Sequence, residues 1–150
     1  MRLTTKSSYG VRALINLAAV YKRKQPVSIR SISKEEGIST IYLEQIFNTL
    51  KNRGLVKSTR GPKGGYVLAK DPAKINVYEA IKILEGDVSS VRCVPKSGGG
   101  KTCARLCNCA SKEVWDELTL QIKKTLEDFS FKYLAERAMK INPKKWPVAR

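Results

Sequence analysis

Apolar residues in the first third of the chain recur every three or four positions, and then the period changes. In "TTKSSYGVRALINLAAVYKRK", Val11, Leu14, Leu17, Ala18 and Tyr21 share one helical face. "PVSIRSISKEEG" predicts a short helix with Ser28 as N-cap, Ile29 and Ile32 turned inward, and Gly37 as terminator. "ISTIYLEQIFNTLKNRG" predicts the next, capped by Ser39, striped by Leu43, Ile46, Phe47 and Leu50, and ended by Gly54. Two short helices joined by a tight turn at Gly37 and Ile38 form a helix-turn-helix.

The pattern then turns β-like. Leu55 and Val56 open one run, "RGPKGG" is turn chemistry, and "YVLA" is the return. Such a hairpin after a helix-turn-helix is a wing. "INVYEAIKILEG" predicts a further helix, with Asn76 and Glu79 placed for a capping box. A last, long helix is expected from about Ser111 to Lys140. There Trp115, Leu118, Ile122, Leu126, Phe129 and Tyr133 recur every three or four residues. That stripe is wider than an isolated surface helix needs, which points to packing against a second protomer. The expected fold is mainly α with a small β-hairpin. A winged helix-turn-helix domain spans 1–86, a cysteine-rich loop 87–110, a dimerisation helix 111–140 and a tail 141–150.

Charge gives this frame a partner. The 150 residues carry 29 Lys and Arg against 13 Asp and Glu, a formal charge of +16. So much positive charge opposes compaction and suits an anionic partner. No acidic residue precedes Glu35, and between Lys51 and Lys74 the only acid is Asp71. The N-terminal half is therefore the anion-binding part. The most apolar run, "VRALINLAAVY", is too short to span a membrane and contains Arg12. No long apolar stretch precedes a small-residue cleavage site, so a cytoplasmic, membrane-free location is expected.

The second helix of a helix-turn-helix enters the major groove. Here it offers Ser39, Thr40, Tyr42, Glu44, Gln45 and Asn48 away from its apolar stripe, side chains that can bond base edges or phosphates of double-stranded DNA. The wing tip adds Arg60 and Lys63, and glycines such as Gly64 let its backbone approach the sugar-phosphate chain; Arg60 can enter the minor groove. A merely solvated basic surface would show charge without the helix pair and wing. Glu44 stands out, because a carboxylate repels phosphate and accepts only from a donor such as cytosine N4. It is either an exposed residue without a role or a specificity filter.

The segments "MRLTTKSSYGVRAL" and "YLEQIFNTLKNRGLVKSTRGPKGGYVLAKD", with a cysteine loop closing into a "VW" helix, resemble the IscR-type regulators of the Rrf-two family. The resemblance runs from Met1 to about Tyr133. It implies a homodimeric winged-helix transcription factor, with the long C-terminal helix as dimerisation element and an iron–sulfur cluster in the cysteine loop. It also implies that Glu44 discriminates between classes of DNA site and that Arg60 reaches into the minor groove.

All the cysteines, Cys93, Cys103, Cys107 and Cys109, lie in "RCVPKSGGGKTCARLCNCASKEVW", and the chain has no histidine. Thiolates suit iron–sulfur clusters, zinc or copper(I). The C-x9-C-x3-C-x-C spacing is a poor zinc pattern. By the resemblance, Cys93, Cys103 and Cys109 match the ligating cysteines, with 2Fe–2S the expected cluster and 4Fe–4S the alternative. Where IscR-like members place a histidine ligand this chain has Lys112, and where nitric-oxide-sensing relatives place a carboxylate it has Ser8. Cys107 is the natural replacement; otherwise it is a bystander, with a small molecule or water completing the site. A metal-free thiol switch and a clusterless relative are the plainer readings. "KSGGGKTC" lacks the first glycine of a phosphate-binding loop, since Pro95 stands there. With no histidine and no catalytic pairing of acids, no enzyme is expected. The reading is a sequence-specific regulator sensing cluster status, redox or nitric oxide. The alternatives are a cluster-free regulator answering a metabolite or protein partner, and a basic protein-binding adaptor.

Overall fold

The computed structural model describes residues 4–86 and 109–145. Helix α1 (Thr5–Ala19) starts where the Thr4 hydroxyl accepts from the Lys6 N–H. It buries Ala13, Leu14, Leu17 and Ala18. Gly10 lies on the same face because helix α4 (Val77–Glu85) crosses there. A Cβ at Gly10 would stand 2.3 Å from Leu84 Cδ1, so the two helices could not pack as closely.

The helix-turn-helix forms as the pattern predicts. Helix α2 (Ile29–Glu36) is capped by Ser28, whose hydroxyl accepts from the Ser31 N–H at 3.1 Å. It ends at Gly37, whose φ of 65° is left-handed, and the Gly37 N–H closes on the Ser33 carbonyl. Ile38 fills the turn and is buried. Helix α3 (Thr40–Asn52) begins at Ser39 and buries Leu43, Ile46, Phe47 and Leu50. Each large apolar side chain so buried contributes roughly 1.5–3 kcal/mol.

Strands β1 (Val56–Thr59) and β2 (Gly65–Leu68) pair antiparallel, from Val56 with Leu68 to Thr59 with Gly65. The hairpin is fixed to the domain on its other edge. Val27 and Tyr66 exchange two backbone hydrogen bonds of 2.9 Å. A Cβ at Gly65 would lie 2.4 Å from the Val27 carbonyl oxygen, so this approach requires glycine.

Two expectations are corrected. The capping box on α4 is only half made. Asn76 Oδ1 accepts from the Glu79 N–H at 2.8 Å, but the Glu79 carboxylate turns to Lys70 Nζ at 2.6 Å instead of reaching back. The single helix expected over 111–140 is two, α5 (Lys112–Glu127) and α6 (Phe131–Ile141). The break comes from tertiary bonding. The Val77 N–H donates to the Phe129 carbonyl and the Phe131 N–H to the Ile75 carbonyl, at 3.0 and 2.9 Å. Ser130 then caps α6 by accepting from the Tyr133 N–H. Phe131 and Ala135 join the core against α1, so α6 belongs with the winged-helix domain rather than with α5. Ile122 and Leu126 also pack inward, leaving Val114, Leu118, Leu120 and Phe129 as the exposed apolar residues of α5 and its end.

Glu36 ties three parts of the chain together. Its carboxylate accepts from Arg12 Nε at 2.8 Å, Asn16 Nδ2 at 2.9 Å and Lys145 Nζ at 2.7 Å, and its side chain is only 6% exposed. Burial favours the neutral acid, but the bonds from Lys145, Asn16 and Arg12 outweigh it and hold the pKa below its ordinary value. A depressed carboxylate contributes stability above its unfolded pKa and loses it as pH falls through the folded one. Glu36→Gln should therefore cost about 1.5–3 kcal/mol at neutral pH. Its stability should also fall less steeply than that of the parent protein across the acid limb, as measured by urea unfolding at a series of pH values.

Candidate nucleic-acid interface and thiol site

Helix α3 turns one face to the core and the other to water. Ile41, Glu44, Gln45 and Asn48, spaced three, four and seven residues from the first, share the outward face and are exposed. Ser39 and Thr40 are exposed at its N-terminal end, where the Ser39 hydroxyl accepts from the Tyr42 N–H at 3.3 Å. That end carries the positive pole of the helix and free N–H groups, which favour phosphate. Tyr42 is half-buried and leans back on α1, its ring edge-on to Tyr9 at 5.8 Å between centroids.

The wing tip presents Arg60 and Lys63, both exposed. Its turn is closed by the Gly64 N–H donating to the Gly61 carbonyl at 2.9 Å. Gly61 has a φ of 117°, and a Cβ at Gly64 would stand 2.4 Å from the Thr59 carbonyl oxygen, so the tight tip depends on glycine at both positions.

Helix and wing are locked together by aromatic packing. Phe47 of α3 stacks on Tyr66 of β2 with centroids 4.5 Å apart. Burial, and then the Glu44 carboxylate, push the Tyr66 phenol above its ordinary pKa. Glu44 therefore stands near the base of the wing as well as on the outward face of α3. Ser39, Thr40, Glu44 and Gln45 accordingly gather on and beside one surface of α3, with Tyr42 partly withdrawn from it, while Arg60, Lys63 and Gly64 lie at the tip of the attached wing.

The reading of the sequence missed Ile41, which is 70% exposed. Its angular position on α3, three residues from Glu44 and four from Gln45, places it outward.

Of the four cysteines, Cys109 alone lies among the described residues; Cys93, Cys103 and Cys107 lie outside them. The Cys109 thiol is 3.1 Å from the Ser111 hydroxyl, two residues into the approach to α5. Hydrogen bonding from Ser111 holds it below its ordinary pKa, toward the thiolate that ligates metal. Lys112 pairs with Asp116, which raises its pKa and keeps it an ammonium without a lone pair for a metal. Ser8 is exposed on α1, while nearby Ser7 and Thr4 donate to Glu85 at the end of α4. Burial opposes the Glu85 charge, but these bonds prevail and lower its pKa.

Comparison with known proteins agrees with this fold. The profile of the Rrf2 family, described as iron-dependent transcriptional regulator, matches residues 3–137. The HTH-type transcriptional regulator IscR of Xenorhabdus nematophila is 38% identical over 136 residues, 91% of this chain and 80% of that protein. Among solved structures, CymR, the global cysteine regulator of B. subtilis, superposes with a TM-score of 0.75 at 33% identity, covering 91% of this chain and 98% of that one. IscR of T. potens gives 0.73 at 32% identity, covering 95% and 91%.

The Glu44–Tyr66 proximity makes a direct prediction. Glu44→Gln removes a negative charge, so Tyr66 should titrate at lower pH than in the parent protein, though still above a free tyrosine because burial remains. Nuclear magnetic resonance of ring-labelled tyrosine, assigned with Tyr66→Phe, reads the shift. An unmoved titration would show that the two side chains do not interact.

Proposed function

This chain belongs to the Rrf2 family of iron-dependent transcriptional regulators, and from that premise we propose that it works as a cytoplasmic homodimer whose hold on DNA follows an iron–sulfur cluster ligated by its cysteines. It is a DNA-binding transcription regulator, not an enzyme, with a winged helix-turn-helix fold. The observation that carries the rest is the joining of two features in one chain. A recognition helix and a basic wing are locked by Phe47 and Tyr66, and the Cys109 thiol is biased toward thiolate at the start of α5.

The donor set fits such a cluster. Cys93, Cys103 and Cys109 are soft ligands, and Cys107 is the candidate for the fourth position because Lys112 is held as an ammonium by Asp116. A bound cluster would supply a redox-active centre whose loss or change of state is the signal. The protein's part is to bias thiolate at Cys109 and to carry that signal through α5, which packs on α4. A 2Fe–2S cluster is proposed, with 4Fe–4S the alternative. On DNA, Ser39, Thr40, Gln45 and the exposed edge of Tyr42 contact base edges and phosphates. Lys63 and the Gly64 backbone contact phosphate, and Arg60 enters the minor groove. Glu44 acts as a filter that rejects sites without a donor opposite it.

Single substitutions Cys93→Ser, Cys103→Ser, Cys107→Ser and Cys109→Ser, reconstituted anaerobically with iron and sulfide, test the ligand set by visible absorption and electron paramagnetic resonance. Loss of the cluster at 93, 103 and 109, with an altered spectrum at 107, is expected. The DNA affinity of the parent protein should change with cluster content and fall with salt by about −0.9 logarithmic units per phosphate contacted. A colourless protein whose DNA affinity ignores iron and sulfide favours the second reading, a cluster-free regulator answering a cysteine-related metabolite. The likeness to the B. subtilis cysteine regulator supports that reading.

The dimer interface is proposed on α5. Val114 is 61% and Leu118 42% exposed, while Ile122 and Leu126 on the same helix are spent on the chain's own core. Val114→Glu combined with Leu118→Glu should give folded monomers in sedimentation velocity, since each apolar side chain removed from an interface forfeits roughly 1.5–3 kcal/mol. A double variant that stays dimeric would place the interface elsewhere.

A further inference from the structure

We infer that Ile41 determines specificity by reading the 5-methyl group of thymine in the major groove. The inference rests on α3 being the base-reading helix and adds a residue and a chemical group to that reading. Ile41 is 70% exposed in the first turn of α3, the part of a recognition helix that meets base edges. It shares its face with Glu44, Gln45 and Asn48, all exposed and all polar. No second apolar side chain stands beside it on that face of α3, so it is an island and not the edge of a protein-docking patch.

The chemistry of the groove narrows its target. An isoleucine side chain neither donates nor accepts a hydrogen bond. Pressed against adenine N6, guanine O6 or cytosine N4 it would leave that group dehydrated and unpaired. The thymine methyl is the largest apolar group that the four bases place on the major-groove edge, where cytosine offers only its C5–H. The β-branch adds to the fit. In a helix the isoleucine χ1 has one strongly preferred rotamer, so little side-chain freedom is lost on contact. Glu44, one turn along the same face, rejects bases by charge; Ile41 selects by shape and desolvation. The two act on neighbouring positions of a half-site.

The test separates this assignment from the reading beneath it. Random duplex pools are selected with the full chain and with Ile41→Ser and Ile41→Val, and the recovered site is then rebuilt with each thymine replaced in turn by deoxyuridine. That replacement removes only the methyl. One thymine per half-site should, on replacement, weaken binding of the parent protein about fourfold, the effect of one buried methyl-sized group. Ile41→Val should retain most of the sensitivity. Ile41→Ser should lose it and tolerate other bases at that position, with an unchanged salt slope because no phosphate contact is removed. A site recovered equally by the parent protein and Ile41→Ser, and indifferent to deoxyuridine throughout, would overturn the assignment while leaving the recognition helix in place. A parent protein that recovers no sequence motif would overturn the base-reading helix itself, and Ile41's role with it.

Discussion

The surface proposed to face DNA is positioned from α1. Helices α2, α3, α4 and α6 and strand β2 all pack against it. One helix can serve so many neighbours only if its inward positions are graded in size. Leu14 and Leu17 fill the wide places, Ala13 and Ala18 the narrow ones, and Gly10 the point where α4 crosses. Interiors are packed about as densely as organic crystals, so a change of size at any of these positions is felt by several elements at once. Two polar side chains of α1 are buried as well: Ser7, bonded to Glu85, and Asn16, whose amide N–H groups donate to Glu36 and the Arg12 carbonyl.

From that base α3 and the wing are built as a unit rather than as two independent devices. The hairpin would be marginal alone, since an isolated pair of short strands has little stability in water. Two attachments stabilise it here, the backbone exchange between Val27 and Tyr66 and the stack of Tyr66 on Phe47. One residue, Tyr66, thus takes part in both. The placement of α3 relative to the wing is thus set by buried contacts rather than by the exposed side chains of either.

Much of this was legible in the sequence because it is local. Ser28, Gly37 and Ser39 act as caps and terminator through bonds to residues three or four positions away, and the α3 stripe is a matter of period. The break between α5 and α6 was not legible. Leu126, Phe129 and Tyr133 keep helical spacing straight through it. What interrupts the helix is the pairing of residues 129 and 131 with Ile75 and Val77, some fifty residues away, which no periodicity records. Glu79 escaped for a similar reason, since Lys70 offered a partner outside the local window. Ile41 did not stand out because it carries no hydrogen-bonding group. The basic wing tip was plain from composition. The place of Cys109 just before a helix was legible as well, but its partner, the Ser111 hydroxyl, was not.

The placement of α6 bears on how the chain is made. Among the described residues, Phe131 and Ala135 complete a core whose other fully buried members all precede residue 86, so the core is drawn from two stretches far apart in sequence. Chains emerge from the ribosome N-terminus first, and contacts between distant segments form late. The four thiols therefore leave the exit tunnel while the core still lacks its last helix. Completion of the core therefore waits on α6 rather than on the first eighty-six residues.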